Sequence, residues 1–213
     1  MMEPIKTLDA LACPLPRANV DTDQLIPARF MKEPRSVGYG QFLLHDLRHD
    51  ESGRPIEGFI LNHPEAAQAK TLVARRNFGA GSSREAAVYA LVDYGFRCVI
   101  APSFGDIFAS NSVNNGLLPA TVSEEDAETL LAALGEAPGS LHIDLEAQRI
   151  SVGDLSVAFS IASTWRTKLL NGWDDIDMTR QHARAIQRFA DEYSRQHPWL
   201  NVTVPAGKII SRG

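Results

Sequence analysis

Cysteine is nearly missing. Cys13 and Cys98 are the only two among 213 residues, far apart and without a C-x-x-C partner, whereas an iron–sulfur cluster normally takes three or four thiolates. Any cluster chemistry would therefore rest on another chain. Cys98 lies in Phe96–Ala101, which reads as a buried strand, and so reads as a small core hydrophobe. Long apolar runs are missing too: no stretch approaches the roughly 20 residues of a membrane span. Met1–Asp9 carries an acid and a proline where a secretory signal would have a basic start and an apolar run. Cytoplasm is the expected location, with no membrane partner. The 21 basic and 26 acidic residues leave a net charge of -5 without a lysine/arginine block, which argues against a nucleic-acid partner. Six histidines, His45, His49, His63, His142, His182 and His197, share no metal-ligand spacing, so no metal is expected on this chain. Repeats, low-complexity tracts and linkers are also lacking. With 44% hydrophobic and 22% charged residues, the chain is long enough for a single domain over 1–213 with a large core.

What is present is an alternation of strand and helix signals. Thr71–Ala74 reads as a strand, and Glu85–Tyr94 as an amphipathic helix stopped by Gly95 at a left-handed cap. Phe96–Ala101 reads as the next strand and Ser103 to about Asn114 as the next helix, with Asn115-Gly116 as its exit. Strand, turn and helix in succession predict an α/β fold. Ser123-Glu124-Glu125-Asp126 opens a further helix that ends at Gly135. Leu141–Ile161 alternates as a β-hairpin or meander. A last helix over Thr179–Gln196 puts Ile186, Phe189, Ala190 and Tyr193 on one face. Residues 19–30 read as a short strand leading into a loop, with Asp21, Thr22 and Asp23 as turn formers. Residues 28–58, with Gly38, Gly40 and Gly53, predict long surface loops, and 199–213 a loosely attached tail.

The densest chemistry lies in Asn77-Phe78-Gly79-Ala80-Gly81-Ser82-Ser83-Arg84-Glu85. Gly79 and Gly81 admit backbone angles other residues avoid, and the first turn of the following helix offers free N–H groups and a positive dipole end. Arg84 adds a planar fork for a carboxylate or phosphate. Such a turn suits an anion. A plainer reading stands beside it: Ser82 and Glu85 have S-x-x-E spacing and would serve as a capping box. The Walker spacing and its lysine are absent.

Two other segments keep this run company: Asn19-Val20-Asp21-Thr22-Asp23-Gln24-Leu25-Ile26-Pro27-Ala28-Arg29-Phe30, and the stretch from Asp93 to Phe108 with Asn114-Asn115-Gly116-Leu117-Leu118-Pro119. Together, and with Asp144–Gln148 and Leu170–Ile176, they resemble from end to end the small-subunit family of the bacterial 3-isopropylmalate dehydratases, in the aconitase superfamily. The resemblance implies a swivelling β/β/α domain with a mixed sheet core and flanking helices. It implies a hydro-lyase of leucine biosynthesis that interconverts 2- and 3-isopropylmalate through isopropylmaleate. It also implies a [4Fe-4S] cluster on a separate large subunit, which binds the departing hydroxyl. Carried over residue by residue, Ser82 matches the catalytic base. Ser83, Arg84 and Asp23 match substrate-binding positions, as does Arg35, where the family places a second substrate arginine. Gly79, Gly81 and Glu85 support the site.

Each assignment keeps its plainer alternative: Asp21 and Asp23 as turn residues, Arg35 as a solvated loop arginine, Glu85 as a cap that also holds Arg84. Where the family usually reads Gly-Cys-Gly-Ser-Ser-Arg-Glu-His, this chain has Ala80 and Ala86. The changes remove a thiol and an imidazole beside the proposed base. Two other functions therefore stay open: a paralogous hydro-lyase subunit acting on citraconate or dimethylmaleate, and a non-catalytic anion-binding or regulatory subunit. The stretch Ala28–Arg35, which the resemblance puts near the substrate side group, bears on the first, because an isopropyl group needs an apolar pocket.

Overall fold

The computed structural model describes residues 2–200, in two compact units that divide between Asp174 and Asp175. The first is built on one mixed sheet of seven strands: β1 (Thr7–Leu15), β2 (Ala69–Ala74), β3 (Cys98–Ala101), β4 (Leu118–Thr121), β5 (Gly139–Asp144), β6 (Arg149–Val152) and β7 (Leu155–Ala158). Their order is β4-β3-β2-β1-β5-β6-β7. The β1 to β4 half is parallel and the β5 to β7 half antiparallel, with β1 shared between them. The helices of this unit are α1 (Thr22–Leu25), α2 (His45–Arg48), α3 (Glu85–Tyr94), α4 (Asp106–Asn114), α5 (Glu124–Leu134) and α6 (Ser163–Asn171). The second unit holds α7 (Asp175–Arg180) and α8 (Ala183–Gln196). No helix among the described residues is long and apolar enough to cross a membrane.

Parallel strands between helical layers are buried on both faces, and their successive side chains enter different cores. Leu72 and Val99 join Ala87 and Leu91 of α3 on one side. Val73 and Ile100 join Leu130 and Leu131 of α5 on the other. Each fully buried Leu, Val or Ile stabilises the fold by roughly 1.5–3 kcal/mol, so the two layers hold the sheet from both faces. The mixed α/β architecture expected from the sequence is the one found, with β2, α3, β3, α4 and α5 near their expected places.

Several local expectations are corrected. Residues 19–30 do not begin as a strand: Asp21 caps α1 through a full capping box with Gln24, and Ala28–Lys32 is a short 3-10 turn. The central strand β1 is invisible to pattern reading because Asp9 interrupts it and Pro14 lacks an N–H. By Pro14, however, β5 has ended, having paired only Thr7–Ala12, so on that side there is no ladder to break. Proline also disguises β4, whose Pro119 lies at the edge of the sheet, where a missing donor is tolerated. Helix α6 also went unforeseen. Residues 28–58 are not simple surface loops but a chain of short helical turns over 28–32, 35–37, 39–42 and α2, whose Leu43 and Leu44 are fully buried. The single last helix is two, α7 and α8, and Ile186, Phe189 and Tyr193 of α8 are exposed. A 3-10 turn over Pro198–Leu200 runs into the expected tail of 199–213, of which 201–213 lie outside the described residues.

Candidate active site

Three loops leave the C-terminal ends of the parallel strands β1, β2 and β3 and lace together there, the edge at which α/β sheets bind ligands. Gly79 donates its N–H to the Val20 carbonyl at 2.7 Å, Thr22 to Ala80 at 2.9 Å, Phe78 to Ser103 at 3.0 Å and Gly105 to Phe78 at 2.9 Å. Asn19 and Asn77 both adopt left-handed angles, φ 59° and 62°, which asparagine tolerates better than most residues. The Asn77 amide donates to the Asn19 side chain at 2.9 Å. Two glycines are dictated by space. A Cβ on Gly79, at φ +69°, would stand 2.2 Å from Phe108 Cγ, and one on Gly105 would stand 2.5 Å from the Gly79 carbonyl oxygen.

The laced loops form a cavity of about 220 Å³ lined by Thr22, Gly79, Gly81, Ser82, Ser83 and Arg84 and by Gly105, Asp106, Ile107 and Phe108. Helices α3 and α4 both begin there, with Arg84 and Gly105 as N-caps that make no side-chain cap hydrogen bond. In α3 the Ala87 N–H turns back to the Arg84 carbonyl at 3.1 Å, and the remaining first-turn N–H groups and the positive dipole ends suit an anion. The Ser82–Glu85 capping box, the plainer reading of this motif, does not form. Ser82 and Ser83 are exposed.

Arg84 is ion-paired with Asp23 through Nη1 and Oδ1, so the fork and the carboxylate expected at the site meet. The Ser82 carbonyl accepts a hydrogen bond from the Thr22 hydroxyl at 2.9 Å. Glu85 opens α3 and accepts from the Asn115 amide at 2.9 Å. Arg35 is held elsewhere: it donates to Asp93 at 2.8 and 3.1 Å and stacks over the Tyr89 ring at 3.5 Å, outside the cavity lining. For Asp93, burial raises the carboxyl's pKa, but hydrogen bonds from Arg35 and the Tyr39 N–H outweigh it and hold it below the ordinary value. Thr22 and the residues 105–108 were not singled out from sequence as site residues. Thr22 reads as a turn former, and Gly105–Phe108 as the start of a helix.

A larger cavity of about 720 Å³, lined by Arg17, Glu57, His63 and Glu136 as well as by prolines, Ile56 and Phe59, shares no lining residue with this one and offers no hydroxyl. The hydroxyls of Thr22, Ser82 and Ser83 and the starts of α3 and α4 lie at the smaller cavity. Among the described residues no group of three or more His, Cys, Asp or Glu side chains is arranged to hold a metal ion.

The model of the aconitase C-terminal domain matches residues 2–125. The 3-isopropylmalate dehydratase small subunit of Shouchella clausii is 44% identical over 193 residues, covering 91% of this chain and 98% of the relative. The protein of the same name from Rhodospirillum centenum is 44% identical over 200 residues, covering 93% and 98%. Among solved structures, the 3-isopropylmalate dehydratase LeuD of Methanocaldococcus jannaschii superposes with a TM-score of 0.63 over 85% of this chain and 98% of that one. At 22% identity that likeness speaks for the fold alone.

Proposed function

The chain belongs to the aconitase C-terminal domain family and, within it, to the small subunits of 3-isopropylmalate dehydratase, and on that footing we propose that it supplies the base and the anion clamp of a dehydration site. The reaction interconverts 2- and 3-isopropylmalate through isopropylmaleate and serves leucine biosynthesis. It requires a proton to leave a carbon next to a carboxylate, which builds negative charge there. Ser82 Oγ takes that proton. A serine hydroxyl is a weak base in water, and the N-terminus of α3 together with the Arg84 guanidinium favours its alkoxide. Charge developing on the substrate meets donors already aimed at it, the Ser83 hydroxyl and the first-turn N–H groups of α3 and α4. Arg84 binds a substrate carboxylate by exchanging it for Asp23, which then holds the guanidinium's other edge. Arg35 serves as a second clamp by giving up Asp93 in the same way. Gly79 and Gly81 shape the turn, and Glu85, tied to Asn115, anchors the start of α3.

The thiols of this chain do not fit an iron–sulfur cluster: Cys13 and Cys98 are both buried and join different cores. We assign the [4Fe-4S] cluster to a large subunit, with which this chain forms a heterodimer or higher assembly in the cytoplasm.

The observation that carries the reading is the meeting of Ser82, Ser83 and the paired Arg84 at the start of two helices. It is tested by co-expression with candidate large subunits, anaerobic cluster reconstitution and hydration assays on isopropylmaleate, citraconate and dimethylmaleate. Ser82→Ala is expected to leave folding and complex formation intact and to abolish turnover, and unchanged turnover would remove Ser82 as base. One observation favours the second reading, a smaller diacid. Phe30 stacks on Phe42 at 4.3 Å, and both Phe30 and Met31 pack against the core, so the apolar residues of 28–35 are engaged internally. Preference for citraconate or dimethylmaleate in the same assay would establish that paralogous activity. A stable complex without turnover would establish the non-catalytic one.

A further inference from the structure

We propose that Thr22 is a positioning residue for Ser82, its buried hydroxyl fixing the base through the Ser82 carbonyl. The inference rests on the assignment of Ser82 as base. Thr22 is 2% exposed although its side chain is polar, and its hydroxyl donates to the Ser82 carbonyl at 2.9 Å across 60 residues of sequence. Its N–H donates to the Ala80 carbonyl at 2.9 Å. One residue thus grips the turn on both sides of Gly81, which sits at φ +102° and has no side chain of its own to hold it. A Cβ on Gly81 would come to 3.4 Å from the Thr22 hydroxyl, so the two segments are in close contact there.

Thr22 is itself fixed. The Asp21 carboxylate accepts from the Gln24 N–H at 2.7 Å, and the Gln24 side chain accepts from the Asp21 N–H at 3.2 Å. The Thr22 carbonyl accepts from the Ile26 N–H at 3.0 Å. Three consecutive residues then address three alternate ones. Asp21 bridges to Ala80, Thr22 holds Ser82, and Asp23 pairs with Arg84. The base and the clamp are set by the same short segment, the base through a hydrogen bond and the clamp through an ion pair.

The Thr22 hydroxyl is spent on the Ser82 carbonyl, so its loss should displace the base without removing a group that binds substrate. A reacting group displaced by about 1 Å can lose on the order of 100-fold in rate, and a loss of this kind falls on kcat more than on KM. In the reconstituted complex with its large subunit, Thr22→Val, which keeps the shape and removes the hydroxyl, is expected to lower kcat at least about tenfold with KM within about twofold. Thr22→Ser, which restores the donor, should return kcat to within about threefold of the parent. Complex formation and thermal melting are followed for each variant. If Thr22→Val does not assemble, Thr22→Ala gives the same comparison with less bulk. Unchanged kcat in Thr22→Val, a Thr22→Ser variant as impaired as Thr22→Val, or a KM that rises in step with the fall in kcat would each overturn the inference. Ser82→Ala in the same assay separates the two claims. If it retains turnover, the base assignment falls and Thr22 with it. If it abolishes turnover while Thr22→Val does not slow it, only the role of Thr22 falls.

Discussion

At Gly79 two independent demands fall on one atom that is not there. The backbone is left-handed, and the ring of Phe108 occupies the space of a Cβ. Gly79→Ala is expected to destabilise the protein by about 3 kcal/mol, combining backbone strain with overpacking. A control isolates the first of these. Gly53, at φ +78°, has nothing within 4 Å of a built Cβ, so Gly53→Ala should cost only about 1 kcal/mol. Thermal melts of both variants check this: equal shifts would mean that the Phe108 contact carries no weight. At this scale the glycines, Ser82, Ser83 and Arg84 were legible in the sequence because they lie within nine residues and share one local motif. Thr22 was not, because a buried threonine and a turn threonine look alike until the partner 60 residues away is known.

Among the elements, the link between the 3-10 turns of 35–42 and α3 was the least legible, and Asp93 carries it. Its carboxylate, 19% exposed, takes two hydrogen bonds from Arg35 and one from the Tyr39 N–H at 2.9 Å. Burial alone would raise its pKa; the hydrogen bonds win and lower it below 3.8. A carboxylate with a depressed folded pKa adds stability that is present above the unfolded value and lost as pH falls through the folded one. Asp93→Asn should therefore cost about 1–2 kcal/mol at pH 7, discounted for the half-exposed arginine, and should flatten the loss of stability below pH 3.8. Denaturant melts at pH 7 and pH 3 measure both, and an equal acid loss in parent and variant would contradict it. Glycines and polar residues between Leu43 and Ile60 suggested loops at this segment. Local pattern does not report that Leu43 and Leu44 have a core to enter, because that core is built from strands remote in sequence.

For the whole molecule, the two thiols report on both cores at once. Cys13 packs on one face of the sheet and Cys98 on the other. Burial pushes the Cys13 thiol from 9.0 up to about 12 and that of Cys98 higher still. A raised thiol pKa gives stability that is intact below the unfolded value and is lost as pH rises toward the folded one, since only the unfolded chain releases the proton there. The protein should lose on the order of 1 kcal/mol per thiol by pH 10, and a Cys13→Ala, Cys98→Ala double variant should lose less between pH 8 and pH 10. Titration with a thiol reagent at pH 8 should find no rapidly reacting thiol in the native protein and two after denaturation. Prompt reaction of either in the native state would show that its core opens locally.

Sequence alone determined the class of fold, the glycine turn that opens α3 and the family, because strand and helix periodicity, glycine at a helix start and a dense local motif are short-range properties. It also set the limit of two cysteines, too few for a cluster. Only the tertiary structure decided that β1 lies at the centre of the sheet, that Arg84 meets Asp23 while Arg35 is held by Asp93, and that Thr22 reaches Ser82. Each of these joins segments tens of residues apart, and such contacts exist only once the parallel strands β1, β2 and β3 bring their C-terminal loops to one edge.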